Sequence, residues 1–304
     1  MTIALLASAI ALLLLPAVVR RQGRRLDPER WAGLVWAALA TGAIAFEAGL
    51  LLLALPTLLR AAGVSQLTAT CNMLLGHLAP GPAPMGWLAA GLAVVLPSRV
   101  IVVWRHTRDA SITCSIEPGL GHHRTFRGHE LVILPTARVV AYSVQSAKRS
   151  QIVVTQGVVD QLTSEELVAV LAHEHAHLHH AHQRRLVLAS LLEGTFAPLR
   201  RCTTELRLAL ERWADEDAAR QNGRSTVRRA LIELLEPLIT ESALPAFTTA
   251  DTVIERIAAL GSTPVPAPSH ALFVARGSLI VLSTCAVAAA GGWLFDAIWM
   301  LGLA

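Results

Sequence analysis

Thr163–Ser164–Glu165–Glu166–Leu167–Val168–Ala169–Val170–Leu171–Ala172–His173–Glu174–His175–Ala176–His177 is the stretch on which the reading of this chain turns. Thr163 with Glu166 three residues on is a capping-box pattern, so a helix is expected to begin near 164. Apolar residues at 167, 168, 170 and 171 continue it into the histidines. On a helix turning about 100° per residue, His173 and His177 stand one above the other and can aim a ring nitrogen at one ion. Glu174 is rotated out of that pair by one residue, so it is placed to take the proton of an attacking water as a general base. That division of labour makes His173 and His177 metal ligands, Glu174 the catalytic residue, and one Zn²⁺ per chain the expected cofactor. On the same wheel His180 falls beside the pair, while His175, His179 and His182 fall on the other side. The spacing that adds a third histidine six residues further on is absent, because His180 and Gln183 stand where Gly and His would be needed.

The remaining ligand has to come from elsewhere. Residues 204–222 read as one helix stopped by Gly223. Glu211 and Asp215 are four apart on it and share a face, a spacing that offers one ligand and one carboxylate to hold a ligating histidine's other N–H. Glu211 is therefore expected as third ligand, with Glu216 as the alternative, and Asp215 as the orienting acid. Stabilising a developing oxyanion needs a further donor. Tyr142, His180, Arg220 and Arg224 are the candidates, and nothing in the sequence chooses among them.

Around this centre the chain is unusually apolar. Its 304 residues are 53% hydrophobic with a mean hydropathy of +0.50, beyond the range of an ordinary soluble enzyme. Apolar runs at 2–19, 31–59, 87–104 and 277–303, the last beginning after Arg276, predict about four transmembrane helices. The division expected is three spans over 1–104, a soluble domain over 105–270 and a last span over 271–304. Arg20, Arg21, Arg24, Arg25 and Arg30 mark the first loop as cytoplasmic, whereas loop 60–86 carries one Arg and is expected outside. Both termini should then lie outside and the soluble domain in the cytoplasm. Glu47 and Asp296 fall within apolar runs; Asp296 is expected near the outer interface, and Glu47 fits either a structural hydrogen bond or a signalling role.

The net charge of +4 reports membrane orientation, and no aromatic-interleaved basic patch suggests direct nucleic-acid binding. Cys71, Cys114, Cys202 and Cys285 have no paired spacing, so neither a cysteine metal site nor a disulfide framework is expected. Residues 138–144 and 151–155 read as strands joined by a polar turn at 145–150. They either pack the domain or expose an edge to an extended peptide. Residues 226–240 and 251–260 read as further helices, and the Pro-rich 262–268 as a linker. The fold class expected is a mainly α membrane protein with a cytoplasmic α+β domain carrying a small sheet.

Several stretches together resemble a membrane gluzincin: AYSV at 141–144, IVVTQG at 152–157, LTSEEL at 162–167 running into HEHAH, and ERWADEDAA at 211–219. The pattern is similar to the BlaR/MecR sensor-transducer peptidases, and more distantly to the HtpX and CAAX-prenyl-protease type. Three spans before the domain and one after it favour the first group. Those sensors carry a penicillin-binding domain after the last span; none is expected here, where residues 1–304 contain no S-x-x-K motif, a departure from that group. The resemblance implies proteolysis of a cytoplasmic or membrane protein, a transcriptional repressor being the expected partner, with lipid around the spans and oligomerisation compatible with the pattern. An HtpX-like quality-control protease, a non-proteolytic zinc-dependent signalling subunit and metal sensing through the surplus histidines are the alternatives.

Overall fold

The computed structural model describes residues 2–63, 83–113, 121–145, 150–240 and 250–262. The expected last span, Asp296, most of loop 60–86, the centre of the turn at 145–150 and the Pro-rich linker lie outside the described residues. Helices dominate, with one small mixed sheet. In chain order they are α1 (Thr2–Val18), the single turn α2 (Arg20–Gly23), α3 (Pro28–Ala61) and α4 (Ala83–Thr113). Strands β1 (His122–Phe126), β2 (His129–Leu134), β3 (Ala141–Gln145) and β4 (Ser150–Thr155) follow. After them come α5 (Gln156–Gln161), α6 (Ser164–His179), α7 (His182–Thr195), α8 (Arg200–Asn222), α9 (Arg224–Thr240) and α10 (Ala250–Leu260).

Among the described residues, two helices are long and apolar enough to cross a membrane, Pro28–Ala61 and Pro84–His106; the apolar part of α1, Leu5–Val18, is shorter. Helix α3 starts cleanly because Pro28 needs no amide partner in the first turn and the Asp27 carboxylate accepts the Arg30 N–H. It packs against α1 through Gly42 and Gly49, where a β-carbon would come within 2.8 Å of Leu13 Cγ and 2.6 Å of Leu6 Cδ2. Small residues at such a seam let two apolar helices approach closely. On α4, Trp87, Leu88, Val94, Val95, Ile101, Val102 and Trp104 are exposed, an outward apolar stripe.

At 34 residues α3 is about 51 Å long, roughly 20 Å more than a hydrocarbon layer requires. The surplus is at its N-terminal end. Trp31, Ala32, Val35 and Leu39 are buried in one cluster with Leu206, Ala209, Leu210 and Trp213 of α8 and Ala189 of α7. One core therefore crosses the boundary expected at 104. The first loop joins it: Arg24 donates from Nε to Glu205 Oε2 on α8 at 3.0 Å and from a terminal nitrogen to Glu255 on α10 at 2.6 Å.

The sheet runs β1-β2-β4-β3, with β2 and β4 parallel and both outer pairs antiparallel. The expected pair β3 and β4 is present, with Tyr142 opposite Val153. The hairpin of β1 and β2 is an addition to the sequence reading. It turns on Arg127 and Gly128, both at positive φ (49° and 83°), the conformation that two-residue hairpins favour. Leu131, Ile152 and Val154 present the inner face to Leu171 and Leu178 of α6. Neither side of the sheet's ends is covered by a further strand among the described residues, so β3 is an edge strand.

Helix α6 begins as expected. Thr163 Oγ1 accepts the Glu166 N–H at 3.3 Å, and Glu166 Oε2 accepts the Thr163 N–H at 3.1 Å and its hydroxyl at 2.8 Å. Its end was not foreseen. His180 caps it and Ala181 takes a left-handed conformation at φ 50°. Such a conformation costs a non-glycine residue about 1–2 kcal/mol. The chain turns sharply there and α7 starts at His182.

The cap yields a stability prediction. Replacing Thr163 by Ala should cost about 1 kcal/mol. The hydrogen bonds from Thr163, with Arg229 adding to them, hold the Glu166 carboxyl below its ordinary value. Its contribution is therefore complete above the usual carboxylate range and is lost as pH falls through the lowered value. Denaturation midpoints measured against pH should show this acid-side loss in the wild type and a reduced one in Glu166→Gln.

Candidate metal centre

The site is built where α6 and α8 cross. Their contact is lined by Ala169 and Ala172 on one helix and Ala218 and Ala219 on the other, with Val227 and Leu260 from α9 and α10 closing the cluster. Small side chains allow a short interaxial distance, and so carboxylates on α8 can reach imidazoles on α6.

His173 Nε2 and His177 Nε2 are 3.1 Å apart. Glu211 Oε2 lies 3.5 Å from the first and Oε1 3.6 Å from the second. Donors around a tetrahedral zinc with bonds of about 2.0–2.1 Å stand about 3.3 Å apart, so this triangle has the size the ion needs. Two neutral-capable imidazoles and one carboxylate are also the donor chemistry it takes. Among the described residues this is the group of three whose ligand atoms all lie within 4.8 Å of one another.

Each imidazole is fixed through its other nitrogen. His173 Nδ1 lies 3.0 Å from Asp215 Oδ1, and His177 Nδ1 lies 3.0 Å from Nδ1 of the fully buried His182. Asp215 is itself clamped by Arg256 of α10, at 2.8 Å from Nε and 2.7 Å from a terminal nitrogen, and the third Arg256 nitrogen lies 3.0 Å from Glu211. Arg256 thus holds the Asp215 and Glu211 carboxylates together.

The charges follow from these partners. Burial opposes the charged form of His173, but Asp215 and Glu211 outweigh it and hold the imidazolium up to about 10. Burial likewise opposes the Asp215 carboxylate, and Arg256 with His173 brings it down to about 2. Glu211 is held well below its ordinary value against burial, by Arg256 and both histidines. Burial lowers His177, with Glu211 pulling the other way. Burial and the neighbouring His177 push His182 down to about 2, so it is a neutral hydrogen-bonding ring.

These groups line a cleft of about 470 Å³. Glu174 forms part of its wall and is 9% exposed. Opposite stands the edge strand, with Ala141, Tyr142, Ser143 and Gln145 along the rim. Leu231, Leu234, Leu235 and Val253 supply an apolar side.

Of the expected residues, then, His173, Glu174, His177, Glu211, Asp215 and Tyr142 meet at one cleft. His180 does not. Its ring lies on Trp213, 4.5 Å between centroids, and Nε2 faces Asp217 at 3.5 Å. Arg220 is exposed and pairs with Asp217 at 3.1 Å. Arg224 pairs with Glu216 at 2.6 Å and donates to the carbonyls of Ala259 and Leu260 at the end of α10. Arg224 therefore links α8 to the end of α10, Arg220 pairs within α8, and Glu216 is engaged by Arg224 rather than by the histidines.

His182 was expected on the far side because a continuous helix would put it there; the reversal at Ala181 returns it beneath His177, and no Gly, Pro or Asn marks that break. Arg256 did carry a signal. Val253, Arg256 and Leu260 form one buried face of α10, and a charged residue in such a face calls for a buried partner.

Asp215→Asn should lower metal affinity by about 10–100-fold, the usual effect of losing a residue that orients a ligating histidine. Arg256→Lys should act in the same direction, because one ammonium cannot reproduce the fork that holds two carboxylates. Titration of stripped protein against a competing chromophoric chelator measures both.

Residues 123–198 match the model of Peptidase family M48. The matched segment is about a quarter of the chain and runs from β1 through α7, so it contains His173, Glu174 and His177 but not Glu211, Asp215 or Arg256. No curated protein and no solved structure matches. The match supports a metallopeptidase of that family, and M48 peptidases are typically zinc-dependent.

Proposed function

We propose that this chain is an integral-membrane zinc endopeptidase that cleaves a protein substrate on the cytoplasmic side. The observation that carries the reading is the donor triangle of His173, His177 and Glu211 with Glu174 on the same cleft wall, facing an open strand edge. Bound there, zinc would polarise the scissile carbonyl and acidify the attacking water. Asp215 and His182 hold the two imidazoles through Nδ1, leaving the Nε2 atoms beside Glu211, where they would hold the ion.

Glu174 takes the proton of the water that attacks the carbonyl carbon and returns it to the leaving amine as the C–N bond breaks. The free edge of β3 offers main-chain hydrogen bonds to an extended segment, and the apolar wall from α9 accepts its side chains. Tyr142 is the remaining candidate of the four for contact with the oxyanion, being the one at the cleft.

The cytoplasmic orientation is supported by two observations. The arginine-rich first loop follows the positive-inside pattern, and its Arg24 is paired with Glu205 and Glu255 of the helices that carry the site. That pairing supports a reading in which loop and site share one side of the membrane. The resemblance to the sensor-transducer group suggests a repressor as the dominant substrate, in a signalling or cell-envelope response.

Glu174→Gln should retain zinc yet lose at least about 100-fold in peptide-bond hydrolysis, the scale of a missing general base. Chelation should abolish activity and zinc should restore it. In cells, new protein termini present with wild type and absent with Glu174→Gln would identify the substrate. One dominant substrate fits the transducer reading, and many membrane-protein fragments fit quality control. Unchanged fragments would sink the protease assignment and leave a signalling scaffold.

A further inference from the structure

The same helix that carries His173 and His177 carries a second pair at the same spacing, His175 and His179, rotated to the opposite face. That face meets the sheet rather than the cleft. His129, the first residue of β2, brings its ring to 5.3 Å from that of His175, and His179 stacks on His175 at 5.7 Å. For comparison, the His173 and His177 rings are 4.8 Å apart. Three imidazoles from two elements, two of them one helical turn apart, thus gather behind the catalytic helix.

Three details distinguish this cluster from a solvated polar face. The Nδ1 atom of His175 is buried and has no hydrogen-bond partner among the described residues, a condition that native structures avoid unless something else supplies the contact. His129 Nδ1 is engaged with Ser150 Oγ at 3.0 Å, which restrains the ring and leaves Nε2 as its other nitrogen, as hydrogen bonds do for metal-ligating histidines. Phe126 packs edge-on against His175 at 6.4 Å, giving the group an apolar flank. The nearby Arg127 is bonded to Gln221, and Asp217 offsets its charge at His175.

We propose that His129, His175 and His179 form a second transition-metal site, separate from the cleft. Imidazole donors without carboxylates select zinc, copper(II) or nickel(II) over calcium or magnesium. The rings must close by side-chain rotation to reach metal–nitrogen bonds of about 2.0–2.1 Å, so the site would exchange its ion more readily than the preformed triangle of His173, His177 and Glu211. Occupied, it would tie the hairpin of β1 and β2 to α6.

The test uses untagged full-length protein in detergent, stripped of metal and titrated with Zn²⁺ and then Ni²⁺. Wild type should bind two ions per chain. His129→Gln and His179→Gln, both on partly or fully exposed side chains, should each weaken the second ion by at least about tenfold and leave the first unchanged. The His173→Ala/His177→Ala protein should keep the weaker ion, so failure of the catalytic-metal reading would not be mistaken for failure of this one. With Cu²⁺ in that double variant, the electron paramagnetic resonance spectrum should show nitrogen couplings that change on His129→Gln. One ion per chain in the wild type, or a second ion indifferent to both single substitutions, would overturn the proposal.

Discussion

The contact on which the rest depends is the clamp of Arg256 on Asp215. It is a two-pronged, nearly dry ion pair between α10 and α8, and everything at the cleft is aligned from it. Asp215 fixes His173, the third guanidinium nitrogen fixes Glu211, and those two place two corners of the donor triangle. A buried charge pair of this kind adds little net stability, because desolvating both ions offsets their attraction. Its value is geometric. Removing either partner would strand a charge inside the crossing of α6, α8 and α10, so the three helices have one satisfactory arrangement.

The catalytic helix is a second constraint. Its two faces carry histidine pairs of the same spacing, and one of them meets Glu211 and Asp215. Packing decides which. Ala169 and Ala172 bring that face close to α8, while Leu171 and Leu178 seat the helix on β2 and β4. The bend at Ala181 then supplies His177 with its neighbour His182, so the two ligating rings are oriented by different means, one by an anion and one by a neutral ring.

What was legible in the sequence was whatever a single element encodes. The capping box at Thr163, the one-turn spacing of His173 and His177, and the four-residue spacing of Glu211 and Asp215 are periodicities within one helix, and all recur in the structure. The strand pair around residues 141–155 was visible for the same reason, as alternation beside a polar turn. Contacts between elements were not. His180, Arg220 and Arg224 had suitable chemistry at plausible distances along the chain, but the faces they occupy are set by how α8, α9 and α10 pack. Arg256 lies 41 residues from Asp215, and only its position in an apolar face pointed to it. The hairpin at 122–134 carries many histidines and charges, which hide the alternation that marks a strand.

The join between membrane segment and site follows from the same ion-pair logic. Glu255 and Arg256 are adjacent on α10 and point to different neighbours, the first to Arg24 in the arginine-rich loop and the second to Asp215. Arg24 also reaches Glu205, four per cent exposed and six residues before Glu211 on α8. The loop that leaves α1 therefore bears on α8, which carries Glu211, and on α10, which carries the Arg256 that holds it. Since α3 continues from that loop with Trp31, Val35 and Leu39 buried against α8, the apolar helices and the cleft cannot shift independently without opening one shared core. A rearrangement of α1 and α3 would be felt at Arg256 through a single peptide bond, at the residue on which both carboxylates rest.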